Sequence, residues 1–209
     1  MGALLTDLAQ KVAIAHTAVV VIDMQNDFCS EGGFLAQRGT DMTAIRSLIP
    51  RLQQFLDRAR QKNVTIVFIQ MVIGEEDISS PMRERLIRIG VKNRSCVKGS
   101  WGAEFASGFQ PKANEMVIKK TRYSAFIKND LDRRLRDMGM VTLIITGVAT
   151  NICVESTARD GFMLDYYIVV PNDLVACGNE RLHEDSLFNL DRYFATATSS
   201  AEILRVWEC

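Results

Sequence analysis

Short apolar runs alternate along this chain with stretches in which apolar residues return every three or four positions. The run over 18–22 (AVVVI) is continuous and mostly β-branched, the pattern of a strand covered on both faces, and it stops abruptly at Asp23. After a Gly-rich loop over 31–34, Ile45, Leu48, Ile49, Leu52, Phe55, Leu56 and Ala59 keep helical spacing as far as Lys62-Asn63. The same reading expects strands over 64–72, 116–119, 141–146 and 166–170, with a short last one over 195–198. Helices are expected over 130–138, from Cys153 to about 164, over 180–194 and over 201–207. From 73 to 114 no clear period survives among Pro81, Gly90, Gly99, Gly102 and Pro111, and a segment of that length is expected to be functional surface.

Repeated β-then-α units with apolar strands imply an α/β fold, a mostly parallel sheet of about six strands with helices on both faces. The 209 residues fit one domain, 1–209, without an internal repeat or low-complexity segment. Composition narrows the function classes. Counts of 25 Lys+Arg and 25 Asp+Glu cancel, so the clustered positive charge that a nucleic-acid partner requires is missing. No run reaches the ~20 apolar residues of a membrane span, and the N-terminal residues lack a signal-peptide pattern, so a cytoplasmic protein with no membrane partner is expected. Five cysteines, Cys29, Cys96, Cys153, Cys177 and Cys209, form no C-x-x-C pair, and free thiols are expected.

In an open α/β sheet ligands gather beyond the carboxyl ends of the strands, which directs attention to Asp23, Lys120 and Cys153. Cys153 follows the fourth strand and Gly147, and Thr150 or Asn151 can cap the helix that begins there. A sulfur in the first helical turn would have its thiol pKa lowered by free amides and the helix dipole; the competing reading is a small apolar core residue. Asp23 is either a pocket carboxylate or the cap of a turn over 23–27, and Lys120 either a site residue or a solvated charge.

Together the three segments resemble the isochorismatase-like cysteine hydrolases: VVVIDMQNDF around Asp23, KTRYSAF from Lys120 and GVATNICVESTARDG around Cys153, in matching order and spacing over about 18–173. The resemblance implies a three-layer α/β/α fold and a catalytic triad of Asp23, Lys120 and Cys153, with Lys120 selected over its neighbour Lys119. It also implies a cis peptide between Val148 and Ala149, an oxyanion hole made by the Ala149 and Cys153 amides, and a homo-oligomer, dimer or tetramer. In such a site Asp23 takes the thiol proton, Lys120 holds positive charge beside it, and the sulfur adds to a carbonyl.

Nicotinamidase-like members of that family hold a metal through histidines after the second strand. This chain has only His16 and His183, neither near 64–73, so no metal site and no cofactor are expected. Within the family the details GSWG from Gly99, KTRYSAF and SLFNL from Ser186 look most like the ureidoacrylate and N-carbamoyl amidohydrolases, which implies a small amide or ureido substrate and release of ammonia. Phe28, Gln70, Trp101 and Tyr123 are the candidate substrate contacts; core packing is the alternative for the aromatics. No single arginine among Arg83, Arg85, Arg88 and Arg94 can be picked as an anion clamp. An isochorismatase-type vinyl-ether hydrolase and a non-catalytic binding protein with a redox-sensitive thiol are the competing functions.

Overall fold

In the computed structural model, residues 4–91 and 94–208 are described; Cys209, expected to be a free thiol, lies outside them. From the N-terminus run α1 (Leu8–Lys11), β1 (Thr17–Ile22), the short α2 (Asn26–Cys29) and α3 (Phe34–Gln37), α4 (Thr43–Gln61) and β2 (Thr65–Met71). Then follow α5 (Ser80–Arg88), β3 (Met116–Lys120), α6 (Leu131–Asp137), β4 (Thr142–Val148) and α7 (Glu155–Met163). The last elements are β5 (Tyr167–Pro171), β6 (Val175–Ala176), α8 (Glu180–Tyr193), β7 (Thr196–Thr198) and α9 (Ser200–Glu208). Among the described residues no helix is long and apolar enough to cross a membrane.

The strands form one sheet in the order β3-β2-β1-β4-β5-β7, with β6 beside the end of β4, and every strand pairing is parallel. Side-chain alternation splits the central strands between two cores. Val19 and Val21 of β1 join Phe68, Ile144 and Val169 against α4 and α9, whereas Ala18, Val20 and Ile22 join Ile69, Ile145 and Val170 against α6, α7 and α8. The result is the expected three-layer α/β/α arrangement. Burial on both faces is why β1 reads as an unbroken apolar run rather than an alternating one.

Two sequence expectations need correction, and one strand adds to those expected. The stretch 73–114 contains a regular helix, α5, whose Met82 and Leu86 line a cavity, Met82 also packing against the edge of the core, and whose apolar stripe is interrupted by charge. Two-residue β6 is too short for any periodicity to register. Gly147 does not end the fourth strand but lies inside β4, at φ +103 and opposite Ile22 of β1. The apolar C-terminal helix closes the fold: Trp207 packs on Phe55 and donates from Nε1 to the Val12 carbonyl at 2.8 Å.

Gly147 carries a stability prediction. A Cβ there would stand 2.1 Å from the Ile22 carbonyl oxygen, which is backbone of a central strand and cannot yield, and its φ is one that side-chain-bearing residues rarely adopt. Gly147→Ala is expected to lower unfolding stability by about 3–5 kcal/mol. Urea denaturation reads this directly, and a loss under about 1 kcal/mol would contradict the close approach of β4 to β1.

Candidate active site

The sheet order places a switch point between β1 and β4, where connections leave in opposite directions and a crevice opens at the carboxyl ends. Asp23 follows β1 there, Val148 ends β4 there, and Lys120 ends β3 two strands away. A cavity of about 340 Å³ opens at this edge, with Asp23, Val148, Ala149 and Cys153 among its lining residues and Phe28, Met71, Ile73, Ile152 and Tyr123 around them. Residues Ile78, Met82, Leu86 and Ile89, in and around α5, complete the wall.

Asp23 is fully buried and held in the left-handed region at φ 51, a conformation that aspartate tolerates better than most residues. Its amide donates to the Ile69 carbonyl at 3.1 Å, continuing the β1–β2 ladder by one residue. Gln25, also buried, locks the turn behind it: Nε2 donates to the Met71 and Ala103 carbonyls at 2.8 and 2.7 Å, and Oε1 accepts from the Met71 amide at 2.8 Å. The Asp23 side chain therefore caps nothing; it is an ion-pair partner. Lys120 Nζ lies 2.7 Å from Asp23 Oδ2, both side chains 0% exposed, and the same ammonium donates to the Tyr123 carbonyl at 2.8 Å. Neighbouring Lys119 is exposed.

Cys153 sits in a single wide turn of π-helix, Thr150–Val154, that precedes α7. Such turns insert one extra residue into a helical path and are frequent at functional sites. Neither Thr150 nor Asn151 caps it through a side chain, contrary to the expectation; the Thr150 hydroxyl instead meets His183 Nδ1 of α8 at 2.9 Å. Thr157 Oγ1 donates to the Cys153 carbonyl at 2.6 Å and accepts from the Ala125 amide at 3.1 Å, which ties the cysteine turn to the segment that follows Lys120. The Val148–Ala149 peptide is cis.

The electrostatics differ from the sequence expectation in one respect. Burial is the largest influence on the Cys153 thiol and, with the negative Asp23 alongside, pushes its pKa up to about 12 against the opposing pull of Lys120. Position at a helix start does not produce a resting thiolate, because a fully enclosed anion loses more hydration than nearby dipoles return. Burial likewise raises the Asp23 carboxyl above the ordinary carboxylate range, although Lys120 draws it down; the thiol and the Met71 amide also favour its anion without making bonds of full hydrogen-bond geometry. For Lys120 burial opposes the charge, but Asp23 and Cys153 outweigh it and hold the ammonium above its ordinary pKa. Burial thus favours the protonated forms of the Cys153 thiol and the Asp23 carboxyl, while the negative partners of Lys120 favour its ammonium.

Of the four aromatic and amide side chains expected to meet substrate, Phe28 and Tyr123 line the cavity. Gln70 and Trp101 do not. The Gln70 amide donates to the Ala103 carbonyl at 2.8 Å, fastening β2 to the 101–103 turn, and the half-exposed Trp101 ring lies against Gly32. Sequence reasoning passed over Arg38 and the α5 wall; the signal was available in Ser79 before Pro81, a helix start, followed by Met82, Leu86 and Ile89 at helical spacing. Among the described residues no group of three or more His, Cys, Asp and Glu is arranged to hold a metal ion.

Comparison with known proteins extends the site to a family. A model of the isochorismatase domain matches residues 17–202. The chain is 33% identical over 197 residues to the ureidoacrylate amidohydrolase RutB of Pantoea ananatis, covering 88% of this chain and 79% of that one. A cysteine hydrolase from Pseudomonas syringae pv. phaseolicola superposes with a TM-score of 0.84 at 25% identity, covering 95% of each chain. The N-carbamoylsarcosine amidase of Thermoplasma acidophilum superposes with a TM-score of 0.71 at 28% identity, over 88% of this chain and 96% of that one.

Proposed function

Because the chain belongs to the isochorismatase family, we propose that it is a cysteine amidohydrolase, cleaving a C–N bond of a small ureido or carbamoyl compound through a thioester on Cys153 and releasing ammonia. The observation that carries this reading is the Asp23–Lys120 pair, 2.7 Å apart and fully buried, beside the one cavity-lining thiol among the described residues. A buried ion pair is an expensive element in a fold, and this one serves neither core packing nor a surface.

In this mechanism the substrate carbonyl lies against Cys153. Asp23 takes the Sγ proton as the sulfur attacks, while Lys120 keeps the carboxylate ionised until that moment. The oxyanion is held by the Ala149 and Cys153 amides. Asp23, now protonated, delivers its proton to the departing nitrogen; ammonia leaves and a carbamoyl thioester remains. Water, deprotonated by Asp23, then attacks the thioester and frees Cys153. The raised carboxyl matches the double duty, since a more basic carboxylate is a better proton acceptor from a thiol.

A panel of ureidoacrylate, N-carbamoyl amino acids, biuret, nicotinamide and isochorismate, scored for released ammonia with and without a chelator, tests the proposal. Ammonia from a ureido or carbamoyl compound, undiminished by chelator, is expected. Turnover of isochorismate alone, or of nothing, would overturn it. The pH profile has a definite sign. Activity needs the Asp23 anion, so kcat/KM is expected to fall as pH drops through the raised carboxyl pKa, placing the acid limb above the ordinary carboxylate value of about 3.9.

A further inference from the structure

We propose that His183 of α8 is a positioning residue for the reaction, holding through Thr150 the turn that presents the Ala149 and Cys153 amides. His183 does not line the cavity, so whatever it contributes passes through a neighbour. That neighbour is Thr150, the first residue of the π-helical turn, 0% exposed and directly after Ala149. Its hydroxyl lies 2.9 Å from His183 Nδ1. The turn is not capped through a side chain at its start, and its far end is held by Thr157 Oγ1, which donates to the Cys153 carbonyl at 2.6 Å. The His183 contact is the corresponding hold on the near end.

The support behind His183 begins at the same strand end. Val175 and Ala176 of β6 pair with Gly147 and Val148 of β4, just before Ala149. The chain then enters α8 at Asn179, whose side chain accepts from the Leu182 amide at 3.0 Å and caps the helix. The next residue, His183, reaches back to Thr150, just after Ala149. One segment, 175–183, therefore grips the chain on both sides of Ala149. Ser186 fastens α8 a second time, donating from Oγ to Glu155 Oε2 at 2.6 Å where α7 begins. Desolvation lowers the His183 pKa against the opposing Glu184 and Glu180, which favours the neutral ring that can accept the Thr150 proton at Nδ1. Amides that stabilise an oxyanion work only where they are held in place, and a displacement of ~1 Å can cost about 100-fold in rate.

For the role of the two amides this rests on the amidohydrolase reading, so the test has one arm that needs no turnover. In the kinetic arm, with the best ureido compound of the panel, His183→Ala and Thr150→Val are each expected to lower kcat roughly 10–100-fold with KM changed less than about twofold. The double variant should be no slower than the slower single variant, because both remove the same bond. Thr150→Ser, which keeps the hydroxyl, and His183→Asn, whose amide oxygen can take the place of Nδ1, should recover most of the rate. His16→Ala removes a ring whose Nε2 lies 3.0 Å from the Gln10 carbonyl, before β1 and at the opposite end of the sheet, and should change neither constant. In the second arm, hydrogen exchange is followed at Ile152 and Val154, whose amides donate to the Ala149 carbonyl at 3.0 and 3.2 Å within the turn. Exchange there is expected to quicken about tenfold or more in His183→Ala and not in His16→Ala. Full activity in His183→Ala, a change in KM alone, additive losses in the double variant, or unchanged exchange would each overturn the assignment. If the intact protein releases no ammonia from any ureido compound while exchange quickens in His183→Ala, the amidohydrolase reading falls and the hold on the turn remains.

Discussion

Cys153→Ala is expected to reduce ammonia release from the best substrate of the panel by about 10⁴-fold or more while the protein stays folded. The size follows from the absence of a substitute. Cys29, Cys96 and Cys177 are also buried free thiols, but none lines the cavity, and burial pushes Cys29 up to about 12 and Cys96 further in the same direction. The reason for folding to survive is equally specific: Cys153 is a small side chain in a turn held by backbone and Thr157 contacts, so its truncation costs about 1 kcal/mol. Cys153→Ser should be almost as inactive, because an alcohol is a weaker nucleophile and asks more of Asp23 as a base. Mass spectrometry of quenched wild-type enzyme is expected to find the carbamoyl adduct on Cys153 and on no other cysteine. Ammonia release that persists in Cys153→Ala would remove the nucleophile from the mechanism.

How far this site could be read from sequence depends on where each property originates. β1 and α4 were legible because burial on two faces or one stripe writes itself directly into the pattern, as in Val19–Val21 and in Leu48, Leu52 and Phe55. Asp23, Lys120 and Cys153 were legible as strand ends, and their meeting follows from a strand order that the chain pattern implies only as a class. The protonation of the thiol was not legible. It depends on how completely the turn around Cys153 is enclosed, a property of packing from residues as distant as Ala125 and His183. The partner of Gln70 was not legible either, for a related reason. A strand amide needs a partner, but sequence cannot say whether that partner is a substrate or, as here, the Ala103 carbonyl. The α5 wall escaped because a helix facing a cavity carries charge where a core helix would carry apolar residues, with Arg85 between Met82 and Leu86.

The buried ion pair leads to the second large effect. Lys120→Met should abolish activity and also destabilise the fold by roughly 3–5 kcal/mol at neutral pH, because it strands the Asp23 carboxylate without compensation inside the protein. The pH dependence separates this cause from simple loss of packing. Asp23 already has a folded-state pKa raised by burial, and removing Lys120 takes away the main influence that lowers it. A carboxyl raised in the folded state favours folding when protonated. Its contribution is complete below the unfolded value of about 3.9 and is lost as pH rises through the folded value. The Lys120→Met deficit is therefore expected to be largest at neutral pH and to shrink as acid protonates Asp23. Adding Asp23→Asn removes the stranded charge, so the double variant should recover much of the stability at neutral pH yet remain inactive, since the base is gone. Urea denaturation of the two single variants and the double, at neutral and acid pH, reads all of these terms. A deficit independent of pH, or a double variant no more stable than Lys120→Met, would mean that the pair acts through shape alone, and the argument for a charge arrangement retained for catalysis would fall with it.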